Sequence, residues 1–251
     1  MLKRRLTSED AASGVVAACI RRKILAGELR RGDKLPPERD LVQQLGLSRT
    51  SVRAGLQQLA AAGIVTISHG RGTFVADGPL VLDSEQFHFL SALHGFSRAE
   101  MFEARRSLES TVAALAAERA TGEDLAAIAD AVTGMFASAA DPLEFLRYDA
   151  AFHHAVAAAS KNPVLASLVD MVSGMFFEAR RRATDRMPPL TKLAEPHRSI
   201  YLAIRDRDPE AARARTVDHL IEAERLLQAE LGDAPLIGPD AGPLASSDVP
   251  A

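Results

Sequence analysis

Apolar residues along this chain recur mostly every three or four positions, and Gly, Pro, Asp and Asn break that rhythm at intervals suited to helices. The stretch from Gly32 to Val75 is the most structured to read. Pro37 and Glu38 suit a helix start, Leu41, Val42 and Leu45 form its apolar stripe, and Gly46 ends it. Ser48 then caps a second helix whose Val52, Leu56 and Leu59 face inward until Gly63, and a β-hairpin tipped by His69-Gly70-Arg71-Gly72 follows. Upstream, Val15, Val16, Cys19 and Ile20 share the inner face of a first helix. Beyond Asp77-Gly78-Pro79, helix-period patterns fall at about 84–94, 98–120, 123–139, 142–160, 163–185, 196–206 and 208–231. Residues 233–251, rich in Pro, Gly, Ala, Ser and Asp, have no apolar stripe and are expected to be a disordered tail. The expected fold is therefore mainly α: three helices plus a hairpin wing over 8–77, then an all-helical bundle of about seven helices over 84–231.

Composition narrows the setting. A single cysteine, Cys19, excludes an intrachain disulfide. Met1 to Leu6 is basic, but Thr7-Ser8-Glu9-Asp10 follows in place of an apolar run, and no apolar stretch approaches spanning length. A cytoplasmic protein with no membrane partner is expected. Charge is divided unevenly: residues 1–77 hold 13 Lys and Arg against 7 Asp and Glu, the remainder 17 against 26. A basic first domain on an acidic body fits a nucleic-acid partner. Arg49, Thr50, Ser51 and Arg53 crowd the first turn of the second helix, the end that enters the major groove in a helix-turn-helix.

The helical part carries ionisable residues where apolar ones are expected. Arg105 falls in register with Met101, Leu108, Val112 and Leu115. Asp149 and His153, four apart, lie among Phe145, Leu146, Phe152 and Val156. His197 shares a face with Ile200, Tyr201 and Ile204, and His219 with Thr216, Leu220, Ala223 and Leu226. Unpartnered burial of such groups is costly, and a divalent cation held by Asp149, His153, His197 and His219 accounts for four of them together. His154, about 100° further round its helix, is expected to point outward or between helices. His88 and His94 read as surface or packing residues.

Leu35-Pro36-Pro37-Glu38-Arg39, Leu47-Ser48-Arg49-Thr50, Val52-Arg53 and Gly70-Arg71-Gly72-Thr73-Phe74-Val75 resemble the winged helix of GntR-family transcription regulators. The resemblance implies Arg39, Arg49 and Arg53 near bases and backbone, Ser48, Thr50 and Ser51 on phosphates, and His69, Gly70 and Arg71 reaching the minor groove. Ala54-Gly55 stands where that family usually has Glu-Ala, which is expected to cost the recognition helix about 1 kcal/mol. Further on, Asp149-x-x-x-His153, Ala159-Ser160-x-Asn162-Pro163, His197-Arg198-x-Ile200 and His219-Leu220 look like the FCD ligand-binding domain of the FadR subfamily. What this implies is a metal, zinc before nickel or manganese, that helps hold a small carboxylate effector, with Arg105 and Asn162 as effector contacts. Lys161 replaces a usual Gly, and Pro196 replaces a usual Glu, which places a helix start at Pro196.

Three other readings compete. A metal-dependent hydrolase would use three His and a carboxylate, yet no His-Glu-x-x-His, Gly-x-Ser-x-Gly or phosphate-cradling loop is present, and hydrolysis gives no reason for the winged helix. An architectural DNA protein would use the helical domain only to dimerise. A long-chain acyl effector, as in the subfamily's namesake, does without this quartet. The expectation is a homodimeric, ligand-responsive repressor on a short pseudo-palindromic operator, not an enzyme.

Overall fold

Polar residues placed just ahead of each apolar run decide where the helices begin. The computed structural model describes residues 8–77, 87, 91, 93–181 and 189–232. By contact the chain divides into two units, Met1–Leu80 and Val81–Ala251.

In the first unit, α1 (Ser8–Leu25), α2 (Glu38–Leu45) and α3 (Arg49–Ala61) precede an antiparallel hairpin of β1 (Val65–Ser68) and β2 (Gly72–Val75). The hairpin pairs Val65 with Val75 and Ser68 with Gly72. Val16, Ile20, Leu35, Leu41, Val52, Leu56, Leu59, Val65 and Val75 form one core. Gly46 ends α2 at φ 66, a left-handed conformation that suits glycine. Ser48 caps α3 by accepting from the Ser51 amide at 3.1 Å. Val15, expected on the inner face, is instead 50% exposed, because the faces of α1 that pack are those of Val16 and Ile20. Cys19 is half-buried.

Gly55 explains its own departure from the family pattern. A Cβ there would lie 2.6 Å from the Val16 Cβ and 2.7 Å from the Ser13 carbonyl oxygen, so α1 and α3 meet at a distance that only glycine allows. The helix-propensity cost is thus offset by close packing. Gly55→Ala is expected to destabilise the first unit by about 1–3 kcal/mol through overpacking, measured by denaturant unfolding. A stability at or above that of the parent would contradict this packing.

The second unit holds six helices among the described residues: α4 (Arg98–Arg119), α5 (Gly122–Ala137), α6 (Pro142–Ala159), α7 (Pro163–Arg181), α8 (Leu190–Arg205) and α9 (Pro209–Leu231). Ser97 with Glu100 and Thr121 with Asp124 form capping boxes on α4 and α5. Asp141 and Asp208 cap α6 and α9, each with proline in the first turn. Val112, Ala113, Ala116, Ile128, Met135, Phe145, Phe152, Ile200 and Ile204 belong to the larger core, and Met101, Phe102, Val172, Phe176 and Leu227 to a second. The C-terminus of α4 is closed by Arg207, which donates to the Ala117 and Ala120 carbonyls at 3.2 and 2.6 Å.

Two expectations change here and two lie elsewhere. Helix α8 begins at Leu190, not Pro196, since Leu190 and Ala194 extend the buried face of His197 and Ile200 backward. Pro196 sits inside that helix and lacks the amide that would bond the carbonyl four residues back. Lys161 takes the left-handed conformation (φ 55) of the glycine it replaces, with its ammonium 2.6 Å from Asp124. The helix expected at 84–94 falls mostly outside the described residues, as do His88, the 233–251 tail and the last residues of the 163–185 pattern.

Candidate functional site

On the first unit, Arg39, Ser48, Arg49, Thr50, Arg53, His69, Gly70 and Arg71 are all exposed. The first turn of α3 and the hairpin tip therefore offer their polar groups to solvent. Arg53 is not idle: its Nε and Nη2 donate to Glu38 at 3.3 and 2.9 Å, which anchors the guanidinium to α2 and raises its pKa. Arg39 similarly leans on Asp40 at 3.3 Å. Ser51 departs from its expected role on phosphate. It is buried, its hydroxyl is 2.9 Å from that of Ser48, and the pair secures the start of α3.

In the second unit, α6, α8 and α9 bring His153, His197 and His219 together, each with a ligating nitrogen within 4.8 Å of the others. Ring centroids stand 5.5 Å apart for His153 and His197, 5.6 Å for His153 and His219, and 4.2 Å for His197 and His219. All three are buried. Phe152 walls the group edge-on, 4.9 Å from the His197 ring.

Tautomers follow from the partners. The Nδ1 of His197 is 2.8 Å from the Leu193 carbonyl, which only accepts, so Nδ1 carries the proton and Nε2 the lone pair. That Nε2 faces the Asp149 Oδ1 at 3.0 Å. Both atoms are buried, and among the described residues neither makes a hydrogen bond. Two acceptors held face to face repel each other unless a cation lies between them. A divalent cation between them would be held by both and would remove that repulsion. The three imidazoles could hold a divalent cation, and the carboxylate facing His197 is of a kind that suits one.

His153 is oriented by a residue that sequence reasoning missed. Its Nδ1 lies 2.6 Å from the Glu109 Oε2, leaving Nε2 to face the site, 3.9 Å from the Asp149 Oδ2. Carboxylate, imidazole and metal site in line is the arrangement that fixes a metal-binding histidine. Arg105 also reaches this knot. Its Nε is 2.5 Å from the Glu109 Oε1 and the guanidinium lies 4.7 Å over the Phe176 ring; its Nη2 donates to the His153 Nε2 at 3.1 Å, so that lone pair is taken here and His153 can ligate an ion only once Arg105 turns away. The one available signal for Glu109 was its place one turn after Arg105 on α4.

Burial pushes the Glu109 carboxyl up, but Arg105 and His153 outweigh it and bring its pKa down to about 2. Asp149 behaves alike: burial opposes ionisation, while His197 and His153, when protonated, and Arg180 hold it well below the usual carboxylate range. His219 goes well below the ordinary histidine value, first through burial and then through the neighbouring histidines, which keeps its imidazole neutral and ready as a ligand. Glu109→Gln should keep the fold yet weaken zinc binding about 10- to 100-fold, read by competition with a chelating dye. Parent-like affinity would show that Glu109 does not orient His153.

The remaining expected residues sit elsewhere. Asn162 caps α7, its Oδ1 accepting from the Val164 and Leu165 amides at 3.1 and 3.2 Å, so its amide oxygen is engaged by backbone and not turned to an effector. His154 pairs with Asp170 at 2.9 Å between α6 and α7 and stands apart from the trio. His94 is exposed and stacks on Phe96 at 6.0 Å between centroids.

Comparison with known proteins agrees with both units. Residues 12–75 match the family of bacterial regulatory proteins named gntR, and residues 100–222 match the FCD domain. The HTH-type transcriptional regulator LutR of Bacillus subtilis is 33% identical over 206 residues, covering 80% of this chain and 94% of that protein. The Glc operon transcriptional activator of Escherichia coli is 31% identical over 233 residues, covering 89% and 90%. Among solved structures, a GntR protein of Streptococcus agalactiae superposes with a TM-score of 0.64 at 27% identity, covering 85% of this chain and 99% of that one.

Proposed function

Since this chain belongs to the gntR family of bacterial regulators, with an FCD domain behind its winged helix, we propose that it is a repressor whose grip on operator DNA is set by a small organic acid bound at a metal in the second unit. Members of this family are transcription regulators, not enzymes; they bind operator DNA and usually form dimers. Among the described residues no helix is long and apolar enough to cross a membrane.

Residues 8–77 are the DNA-reading part of this proposal, and 84–231 the part that senses and dimerises. Arg49 and Arg53 read base edges in the major groove, Arg39, Ser48 and Thr50 hold the backbone, and His69, Gly70 and Arg71 reach the adjacent minor groove. A homodimer places two such heads on a pseudo-palindromic operator. Asp149, His153, His197 and His219 hold one divalent ion, zinc by donor type. Bound there, the ion supplies a positive centre that attracts and orients a carboxylate. Arg105 adds a planar fork beside it, already positioned by Glu109 and Phe176.

The observation that carries this reading is the bare 3.0 Å contact between the Asp149 Oδ1 and the His197 Nε2. Its experimental test uses zinc-loaded protein, an operator taken from beside its own gene, and candidate acids of neighbouring catabolic genes. Arg105→Lys is expected to keep zinc and operator affinity but lose the response to the acid, because an ammonium lacks the paired donors. An unchanged response would reduce Arg105 to a core ion-pair partner of Glu109.

A further inference from the structure

Glu38, the first residue of α2, meets Arg53 of α3 edge to edge. The Nε and Nη2 of Arg53 donate to the Glu38 Oε1 and Oε2 at 3.3 and 2.9 Å, so carboxylate and guanidinium are joined by paired hydrogen bonds. Their side chains are 40% and 65% exposed, and an ion pair so open to water adds little to stability. What paired bonds do fix is direction. A guanidinium on its long stem otherwise turns freely, whereas a fork seated on a carboxylate has a set plane.

The chemistry of the guanidinium says which edge is left over. Its N–H donors lie in one plane, and the side edge, Nε with Nη2, is spent on Glu38. The end edge, Nη1 with the second hydrogen of Nη2, remains as a parallel pair of donors. That pair is what the O6 and N7 of a guanine accept in the major groove. Arg53 stands one turn after Arg49 on α3, and both are exposed. Charge points the same way. A phosphate held by Arg53 would stand close to the Glu38 carboxylate and be repelled by it, while a base edge carries no net charge.

We propose that Glu38 is a positioning residue for base reading: it presents the end edge of Arg53 to a guanine and disfavours its use on phosphate, which raises specificity and lowers affinity for DNA in general. The proposal rests on the placement of Arg53 against bases given above, and adds to it an acid that acts through Arg53.

The experiment is anisotropy titration of the full chain with the operator duplex from beside its own gene, with duplexes carrying single base-pair substitutions, and with a scrambled duplex. Arg53→Ala marks the base pair that Arg53 reads, as the position where substitution no longer changes affinity. Glu38→Gln should lose at least about fivefold in discrimination at that same base pair and keep discrimination elsewhere. It should also bind the scrambled duplex more tightly than the parent, because a negative charge beside the phosphates is gone. With Arg53→Ala already in place, Glu38→Gln should change discrimination no further. Glu38→Ala, which removes both acceptors, gives the same reading if the glutamine amide oxygen still holds the guanidinium. A role confined to the stability of α2 would weaken all duplexes alike, and that result overturns the proposal, as does parent-like discrimination in both Glu38 variants. Should Arg53→Ala keep the parent's discrimination at every base pair, the placement of Arg53 against bases itself fails and takes this inference with it.

Discussion

His197→Ala empties the metal site, while His154→Ala leaves it filled. Purified parent should hold about one divalent ion per chain. The histidines at 153 and 154 are neighbours in sequence, yet only His153 joins His197 and His219, and His154 is committed to Asp170 at 2.9 Å. Removing a ligand from the proposed four-ligand site should cost more than the about 10- to 100-fold expected for loss of a supporting carboxylate. It also removes the nitrogen that faces the Asp149 Oδ1, so the second unit should lose the stabilisation expected from a bound metal. Elemental analysis and thermal unfolding with and without added zinc check both effects. Equal metal in His197→Ala and parent would remove the quartet from the account.

Arg49→Ala should cost about 1–3 kcal/mol at the operator, or about 5- to 150-fold in affinity, and should narrow discrimination against mismatched sites. Arg49 is exposed in the first turn of α3 and, among the described residues, has no acidic partner such as Arg53 has in Glu38. It is the freer of the two to meet a guanine edge. Arg71→Ala at the hairpin tip should weaken binding more evenly across sequences. Anisotropy titrations on operator and scrambled duplexes separate these outcomes. If Arg49→Ala bound both duplexes as the parent does, α3 would not be the reading helix.

Most of the helical framework was legible because its starts are local chemistry. Ser97, Thr121, Asp141 and Asp208 each cap a helix with their own side chain, and an apolar stripe follows at once. Helix α8 misled for a related reason. Proline usually marks a first turn, but here the buried face running from Leu190 to Ile204 overrode Pro196. The three histidines could be picked out because each interrupts an otherwise apolar face. Glu109 and Arg180 could not. Glu109 reads as a helix partner for Arg105, and only the fold turns its other oxygen onto His153. Arg180 begins the run Arg180-Arg181-Arg182, which resembles a solvated basic helix end. Tertiary packing encloses Arg180 and leaves Arg181 exposed, a choice that no periodicity in one sequence encodes. Gly55 is the converse case, a helix-weakening residue whose reason lies wholly in the approach of α1.

The central claim is that occupancy of the metal site by an acid alters the grip of the first unit on DNA. An effector shifts operator affinity only as far as it prefers one conformation of the dimer over another, typically about 1–3 kcal/mol. The most direct measurement is operator affinity of zinc-loaded parent and of His197→Ala across a titration of the acid that binds most tightly in calorimetry. A shift of about 5- to 150-fold in the parent, absent in His197→Ala, is the predicted result. Equal shifts in both proteins, or an unmoved operator affinity with the acid demonstrably bound, would contradict it.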